Sequence, residues 1–360
     1  MKDIVFIGGV RDYHIMDWYR TVKKTVSDRK VVILTDLIKA EGFDVLTERD
    51  DVVEKLFIID RFLFKNQSSV GNIWRNIVKL IVLPIQILYL RKFARKNRNC
   101  VFHANPMYYM LLCWLSGINF VGTPQGSEIL VRPGRSKLYR YFAVKALKSA
   151  RIVTVDSESM KKEIFEMSGV NAIVVQNGID VAAVMSEKES SSRIKVASVR
   201  GMTDLYRIKE ILWSRNFSKT KQPINFAYPF HDDEYKKELK GLFIEEDKDL
   251  GRLSKEEFYK VLRESFLVIS VPKSDSSPRS VYEAIFSGCC VAVTYNNYVE
   301  VLPECMKKRL YIVDILNENW LEEAVKYARG VAAGAFSPSE AAIEMFDQDR
   351  TIKRVINMLY

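Results

Sequence analysis

Short apolar runs alternate along this chain with longer segments that have helical periodicity. The first series of runs lies at residues 4–8, 31–35, 56–60, 100–103, 120–123, 152–155 and 173–176. A second series lies at 195–199, 224–228, 267–270, 291–294 and 310–314. Because strands of a parallel sheet are buried on both faces and are joined by helices, this alternation predicts doubly wound α/β sheets.

A polar, serine-rich stretch separates the two series. Residues 181–193 read VAAVMSEKESSSR, a composition typical of a linker. A chain of 360 residues is long for one core and suits two domains of about 170 to 190 residues each. We therefore expect a first domain over 1–180, a second over 194–340, and a C-terminal helix over 341–360 that can pack back on the first domain, with a cleft between the domains.

The composition is that of an ordinary globular protein, with 48% hydrophobic and 28% charged residues. Its five cysteines are odd in number and lie in or beside apolar runs, as expected for buried thiols of a reducing compartment. The run at 4–8 is flanked by charges and predicts a first strand, not a signal peptide. The longest apolar stretch, 80–90, contains Pro84 and is shorter than the roughly 18 residues that span a bilayer. These features predict a cytoplasmic protein.

The net charge of +10 is concentrated in the first half of the chain. Residues 74–98 and 132–151 both carry basic side chains and no acidic ones. A pair of helices broken near Pro84 would present an apolar face flanked by cations, which suits anionic lipid headgroups at the inner face of the cell membrane. A core helix with a solvated basic end fits the pattern equally well. Nucleic acid is not a predicted partner, because no zinc-ligand spacing or RNA-binding aromatic motif accompanies the charge.

The most informative segment is a predicted strand, helix, strand unit over 266–294. Pro278 is expected at the first position of its helix, and Gly288 at its end. The free N–H groups of the helix N-terminus favour an anion such as a diphosphate. Asp275 and Glu283 flank this turn, where they could accept hydrogen bonds from sugar hydroxyls. An ordinary β-α-β unit with capping residues is the competing interpretation.

The run PKSDSSPRSVYEAIFSG at 272–288 resembles the acidic-x7-acidic signature of retaining glycosyltransferases of the GT-B fold, family four. Asp275 stands where glutamate is more usual. The resemblance implies two Rossmann-like domains that face each other across a cleft. It also implies that Glu283 holds the nucleotide ribose and that Asp275 contacts the donor sugar.

Other residues of the second domain fit the same resemblance. In this family, an arginine after the first strand and a nearby lysine bind the donor diphosphate. Arg200 matches the arginine, but Leu205 stands at the lysine position. Another cation must therefore bind the diphosphate beside Arg200. The candidates are Arg207, Lys209 and Lys273. Ser277, Arg279 and Ser280 lie at the helix N-terminus that would face the phosphates.

The segment LGRLSKEE at 250–257 resembles the family pattern L-G-x-x-S-x-E-E. Ser254 is a predicted N-cap, and Glu257 completes a capping box. The backbone of Arg252 and Leu253 is where the resemblance places the nucleotide base. The N-G-I-D sequence at 177–180 is similar to the family's hinge between domains, and Asp180 can cap the residues that follow.

The first domain carries weaker matches. Gly8 and Gly9 follow the first strand and would let a phosphate or sugar approach the backbone closely. The segment TPQGSE at 123–128 is similar to the family's T-x-H-G-S-D, with Gln125 in place of the histidine. Glutamine can form hydrogen bonds but cannot exchange a proton, so it fits a positioning role. We expect Glu128 and His14 to contact the acceptor.

Together these motifs predict a retaining glycosyltransferase, of the hexosyltransferase type, that uses a nucleotide-diphosphate sugar as donor. Its predicted catalytic residues are Arg200, Asp275, Glu283 and Gln125. The acceptor would be a glycan or a polyprenyl-linked sugar of bacterial surface polysaccharide synthesis, by analogy. No cofactor or metal is expected, because the three histidines are far apart in the sequence and form no metal-ligand spacing. A nucleotide-sugar epimerase of the same architecture and a non-catalytic nucleotide- or membrane-binding protein remain alternatives.

Overall fold

The computed structural model describes residues 2–38, 46–63, 69–185 and 193–360, with the backbone alone for 69–72. It divides into two compact units, each with its own core. The first unit comprises Met1–Gln176 and Asp349–Tyr360, and the second comprises Asn177–Gln348.

The first unit is a parallel sheet with strand order β3-β2-β1-β4-β5-β6-β7. Its strands are β1 (Asp3–Ile7), β2 (Val31–Thr35), β3 (Val53–Lys55), β4 (Cys100–Ala104), β5 (Phe120–Gly122), β6 (Ile152–Val155) and β7 (Ile173–Val174). Its helices are α1 (Tyr13–Thr25), α2 (Ser69–Lys96), α3 (Met107–Ser116), α4 (Gly126–Leu130), α5 (Arg132–Arg135), α6 (Lys137–Ser149) and α7 (Glu158–Ser168). Alternate residues of β1 belong to two different apolar clusters, so helices cover both faces of the sheet.

The second unit is a parallel sheet with strand order β10-β9-β8-β11-β12-β13. Its strands are β8 (Lys195–Ser198), β9 (Ile224–Ala227), β10 (Lys248–Gly251), β11 (Ser265–Ser270), β12 (Cys290–Thr294) and β13 (Leu310–Val313). Its helices are α8 (Val181–Met185), α9 (Ile208–Phe217), α10 (Asp233–Leu239), α11 (Lys255–Glu264), α12 (Arg279–Phe286), α13 (Glu304–Lys307), α14 (Trp320–Ala332) and α15 (Glu340–Phe346). The prediction of doubly wound parallel sheets is therefore confirmed.

The two errors in strand prediction both concern edge strands. The third strand is β3, not residues 56–60, and β10 was not predicted at all. No residue of β3 or β10 is buried, so neither strand has the apolar run that marks a buried strand. Residues 56–60 are apolar for another reason, because Leu56 and Ile59 are buried in the core after the chain has left the strand.

The segment around Pro84 also differs from the expectation of two helices. α2 is one continuous helix of 28 residues that contains Pro84. An internal proline costs a helix about 3 kcal/mol. Burial of Val78, Val82 and Leu90 on one face of α2 offsets this cost. Neither α2 nor any other helix in the described part of the chain is long and apolar enough to cross a membrane.

The chain passes between the units at two neighbouring places. Ile179 forms a bridge with Asp347, and the backbone N–H of Gln348 donates to the Ile179 carbonyl at 3.0 Å. Gly178 permits this approach, since a Cβ there would lie 2.3 Å from Gln348 Cα. Asp180 Oδ1 accepts from Ala183 N at 2.9 Å and so caps α8. The predicted linker over 181–193 thus begins as a helix, and its residues 186–192 lie outside the described residues.

The C-terminal segment predicted as one helix over 341–360 is two helices, because Asp347 is extended and ends α15. The second of these, α16 (Gln348–Leu359), packs in the core of the first unit through Ile352, Val355 and Ile356. Tyr360 completes the contact. Its hydroxyl accepts from Trp18 Nε1 at 3.0 Å and lies 2.5 Å from Nδ1 of the buried His103.

The second unit contains a fully buried ion pair between Arg215 and Asp247. Both carboxylate oxygens of Asp247 lie 2.8 Å from Arg215 Nη1, and they also accept from the backbone N–H groups of Ile224 and Ile244. Because every lone pair is used, removing one partner leaves a buried charge with no compensation.

We expect the substitution Asp247→Ala to lower the free energy of unfolding by about 3 to 5 kcal/mol. Urea unfolding followed by circular dichroism measures this. Glu304→Ala, which removes the exposed partner of Lys307, is the control and should cost about 0.5 kcal/mol. Equal losses in the two variants would contradict the prediction.

Candidate functional site in each unit

The strand order of the second sheet leaves a crevice between β8 and β11. Successive strands are added outward from this pair in opposite directions, so the loops after β8 and β11 diverge. In open α/β sheets, ligands bind at the carboxyl ends of the strands at this reversal. Residues 199–207 follow β8, and residues 271–278 follow β11. Of the predicted site residues, these two loops carry Arg200, Arg207, Lys273, Asp275 and Ser277.

Arg200 and Asp275 form an ion pair that joins the two loops. Arg200 Nη2 lies 2.6 Å from Asp275 Oδ2, and Arg200 Nη1 donates to Ser280 Oγ at 3.0 Å. The guanidinium also lies 4.7 Å from the ring centroid of Tyr206. Burial alone would lower the pKa of Arg200, but Asp275, Tyr206 and Tyr298 together outweigh it and the pKa is raised. This arrangement supplies a fixed cation at the carboxyl ends of β8 and β11.

The loop that carries Asp275 is held from the neighbouring strand. The Asp275 backbone N–H donates to Asn296 Oδ1 at 3.1 Å, and Thr294 Oγ1 donates to the Pro272 carbonyl at 2.9 Å. Thr294 ends β12, so the loop position depends on two adjacent strands. The carboxylate of Asp275 is thereby aimed at Arg200.

The three alternative cations differ in where they lie. Arg207 Nη1 donates to the Pro272 carbonyl at 3.1 Å, and Lys273 Nζ pairs with Asp204 at 2.5 Å. Both side chains therefore border the 271–278 loop. Lys209 instead forms an ion pair with Glu238 on α10 and lies 5.0 Å from the Trp213 ring. This places Lys209 on an outer helix face, so Arg207 and Lys273 are the better candidates.

The N-terminus of α12 differs from the prediction by one residue. Pro278 is the N-cap residue and Arg279 the first helical residue, whereas Gly288 follows the helix with a φ of 89° as expected. Ser277 is buried, and its hydroxyl lies 3.3 Å from that of Tyr282 in the core. Ser280 accepts from Arg200, and Arg279 donates to Gln348 at 3.2 Å. Of the predicted phosphate contacts here, Ser277 alone is enclosed.

Glu283 lies on the second turn of α12 and is half-buried. The hydroxyl of Tyr259, from α11, donates to Glu283 Oε1 at 3.2 Å. Burial raises the pKa of Tyr259, and the charge of Glu283 raises it further. Tyr259 therefore stays protonated and holds the carboxylate in place.

The predicted capping box at the start of α11 is confirmed. Ser254 N donates to Glu257 Oε2 at 2.8 Å, and Glu257 N donates to Ser254 Oγ at 3.3 Å. The preceding residues turn at Gly251, which has a φ of 62°. Arg252 is exposed and Leu253 is half-buried at the carboxyl end of β10.

The first sheet has its own reversal of strand order, between β1 and β4. Gly8 follows β1 at this point, and a Cβ there would lie 2.5 Å from the Asn105 carbonyl oxygen. Gly8 is thus required by close packing against the turn after β4. Gly9 is less confined, with the Tyr109 hydroxyl 4.0 Å from where its Cβ would be. The loop that follows leads directly into α1.

Gln125 is bound to the loop after β1. Its Nε2 donates to Asp12 Oδ2 at 2.6 Å, while Asp12 Oδ1 caps α1 by accepting from His14 N at 2.9 Å. His14 itself is exposed on the first turn of α1. The structure therefore brings Gly9, Asp12, His14 and Gln125 together at the reversal point. Asp12 was missed by the sequence reasoning, although its place just before a helix marks it as a cap.

Glu128 is buried and holds two turns together. Its Oε2 accepts from Gln125 N at 3.0 Å and from Met107 N at 2.9 Å. Burial raises the pKa of Glu128, and these backbone groups and the charge of Arg132 oppose the rise. Glu128 thus joins the start of α4 to the start of α3, and it has only 4% of its surface exposed to an acceptor.

Three further residues border the second-unit site without any sequence signal that marks them. Tyr206 lies under Arg200, Asn296 orients Asp275, and Tyr259 orients Glu283. Each is separated from its partner by 6 or more residues of sequence, so only the sheet topology brings them together. In the described part of the chain, no group of three His, Cys, Asp or Glu side chains is arranged to hold a metal ion.

Solved structures of two-domain glycosyltransferases match both units along the whole chain. HepE from Anabaena, in complex with UDP-glucose, has a TM-score of 0.73 at 15% identity, over 100% of this chain and 99% of its own. The chain has the GT-B fold. Sucrose-phosphate synthase from Thermosynechococcus elongatus has a TM-score of 0.73 at 11% identity, over 99% and 98% of the two chains. The lipopolysaccharide outer core galactosyltransferase WaaB has a TM-score of 0.62 at 12% identity, over 99% of each chain.

At the sequence level, no family model matches the chain, and no curated protein matches it either. The resemblance of residues 272–288 to family-four transferases therefore stands on the motifs and on the GT-B fold.

Glu128 allows a test by pH. Because its folded pKa is raised, the folded state holds a proton that the unfolded state releases, and stability falls as pH rises from the unfolded pKa through the folded one. Glu128→Gln keeps an acceptor oxygen but cannot ionise. We expect the free energy of unfolding of the variant to fall furthest below that of the native protein near pH 4. At pH 7 the deficit should be smaller, or the variant should be the more stable of the two. Urea unfolding at both values measures the difference, and a constant difference would contradict the assignment.

Proposed function

We propose that this protein is a retaining glycosyltransferase that moves a sugar from a nucleotide-diphosphate sugar to a glycan or lipid-linked acceptor. The observation that carries the proposal is the largely buried Arg200 at the β8/β11 reversal, which pairs with Asp275 and bonds to Ser280 on the helix that also carries Glu283. The GT-B fold supports it, as does the presence of UDP and UDP-glucose in the HepE structures.

Arg200 would neutralise the diphosphate that leaves the sugar. A guanidinium can bind two phosphate oxygens at once, and a fixed cation stabilises negative charge that develops in the transition state. Arg207 and Lys273 border the same loop and would supply further positive charge. With protein cations in this role, the reaction would need neither a metal ion nor a cofactor.

Asp275 and Glu283 would bind the two sugars of the donor. On donor binding, Asp275 would share Arg200 with the diphosphate and accept hydrogen bonds from hydroxyls of the transferred sugar. Glu283, held by Tyr259, would accept from the ribose hydroxyls. The base would lie along the backbone of Arg252 and Leu253.

The first unit would bind the acceptor, with His14 and Gln125 near it. Gln125 cannot act as a base, and its amide is already bonded to Asp12. The leaving phosphate would therefore take the proton from the acceptor hydroxyl as the new glycosidic bond forms on the same face of the sugar. Gln125 would position the loop that carries His14. WaaB, a lipopolysaccharide transferase, supports a role in bacterial surface polysaccharide synthesis.

Calorimetric titration with UDP, GDP, CMP and ADP tests the donor site. We expect one nucleotide diphosphate to bind, and Arg200→Met and Glu283→Ala each to weaken it by about tenfold or more, because hydrogen bonds to charged groups are lost. Arg329→Met is the matched control, since Arg329 lies beside Phe266 near the opposite end of β11. Absence of binding by all four nucleotides would favour the non-catalytic alternative. Conversion of a nucleotide sugar without an acceptor would favour the epimerase.

We also propose that the first unit contacts an anionic membrane surface from the cytoplasmic side. One face of α2 is apolar and exposed, with Leu80 at 75% and Ile81 at 66% of their surface accessible. α6 adds exposed apolar side chains at Leu138 and Tyr141. Both helices pack against α3, so their outer faces are neighbours. Exposed cations accompany these side chains at Lys92, Arg95, Lys96, Lys137, Arg140 and Lys145.

An apolar helix face with flanking cations is the pattern of a helix that lies in the headgroup region of anionic lipids. We expect the protein to float with phosphatidylglycerol vesicles, and the double substitution Leu80→Glu, Ile81→Glu to reduce the floated fraction severalfold. Leu316→Glu is the matched control, because Leu316 is 87% exposed in the second unit. Equal flotation of the native and double-variant proteins would remove the membrane contact.

A further inference from the structure

Two cations lie on the same side of α2 as its buried residues, Lys79 half-buried and Arg75 exposed. Arg75 and Lys79 are one turn apart, and they share this face with the buried residues Val78 and Val82. The exposed apolar side chains occupy the opposite face of the same helix. Partial burial of a positive charge costs free energy unless a group of opposite charge lies beside it.

Lys79 is held against two aromatic rings. Its Nζ lies 4.0 Å from the ring centroid of Tyr108 and 5.6 Å from that of Tyr109. These contacts fix the ammonium group over α3, near the start of that helix. The Tyr109 hydroxyl is in turn near Gly9, in the loop after β1. Lys79 is therefore beside the reversal point of the first sheet.

The nearby carboxylates are engaged by other donors. Asp36 is fully buried and accepts from the Tyr109 hydroxyl and, at 3.4 Å, from Gln86 Nε2. Glu128 accepts from two backbone N–H groups and lies 3.5 Å from Arg132. Neither Arg75 nor Lys79 forms an ion pair with any carboxylate that the structure describes.

Two more cations, Arg11 and Arg132, affect the pKa of Arg75, and Arg11 also affects that of Lys79. Burial lowers the pKa of Arg75, and the charges of Arg11 and Arg132 lower it further. Burial also lowers the pKa of Lys79, the charges of Asp36 and Glu128 oppose this, and those of Arg75 and Arg11 add to it. Four cations, Arg11, Arg75, Lys79 and Arg132, thus act on a place where the carboxylates of Asp36 and Glu128 offset them, and a bound anion would neutralise the remaining positive charge.

We propose that Arg75 and Lys79 bind a phosphate or diphosphate group of the acceptor substrate, with Arg11 and Arg132 raising the positive potential around it. The inference rests on the proposed function, because it assigns the class of acceptor that the first unit takes. A multiply charged phosphoryl group fits better than a single carboxylate, since it can accept from several cations at once. The group belongs either to a lipid carrier or to a soluble sugar phosphate.

Calorimetry with inorganic pyrophosphate tests this site. The titrations use an Arg200→Met background, so that the proposed donor site does not contribute. We expect pyrophosphate to bind this protein, and Arg75→Gln and Lys79→Met each to weaken binding by about tenfold. Arg75 is open to solvent, so its substitution should leave the fold intact even if Lys79→Met does not fold. Lys162→Met, on the exposed face of α7, is the matched control and should leave binding unchanged.

The outcomes separate this inference from the donor-site proposal. UDP binding to Arg75→Gln in an otherwise native chain should equal that of the native protein, so a failure of the donor site would appear in the UDP titration alone. Tighter binding of farnesyl diphosphate than of pyrophosphate would assign a lipid carrier. Tighter binding of glucose 6-phosphate than of phosphate would assign a soluble acceptor. Absence of pyrophosphate binding, or binding by the Arg75→Gln and Lys79→Met variants that equals that of their Arg200→Met parent, would overturn the inference.

Discussion

The order of strands in each sheet decides where this protein can bind a ligand. Both sheets reverse their winding next to a central strand, at β1/β4 and at β8/β11, and the loops on either side of each reversal diverge. In the first sheet, two apolar clusters bury both faces of the central strands and hold them in place. Arg200, Asp275 and Glu283 project from the loops at the β8/β11 reversal or from the helix that follows, and His14 projects from the helix after β1.

Within the second unit, the Arg200–Asp275 pair shows how a largely buried charge is compensated. A largely buried guanidinium would be unfavourable alone, and Asp275, Ser280 and Tyr206 all contact it. A diphosphate could take over part of this role, because the pair is only partly enclosed, with 13% of each side chain exposed.

The first unit uses its carboxylates differently. Asp12, Asp36 and Glu128 all accept hydrogen bonds from groups of the protein, and they fix the loops after β1, β2 and β5. The cations of the first unit lie in two places, beside the exposed apolar face of α2 and α6 and around Lys79 on the opposite side of α2. These are the places for which we propose a lipid surface and a phosphoryl group as partners.

The sequence by itself determined the alternation of elements, the two α/β units, the capping box at Ser254, and the loops that carry Arg200, Asp275 and Glu283, because buried strands and helix caps have local signals. It did not reveal β3 and β10, since edge strands are exposed and lack an apolar run. Only the tertiary structure decided that α2 continues through Pro84. It also decided that Lys209 pairs with Glu238 while Arg207 borders the 271–278 loop, and that the buried Glu128 links the starts of α3 and α4. Those outcomes depend on contacts between residues far apart in the chain, which no local pattern encodes.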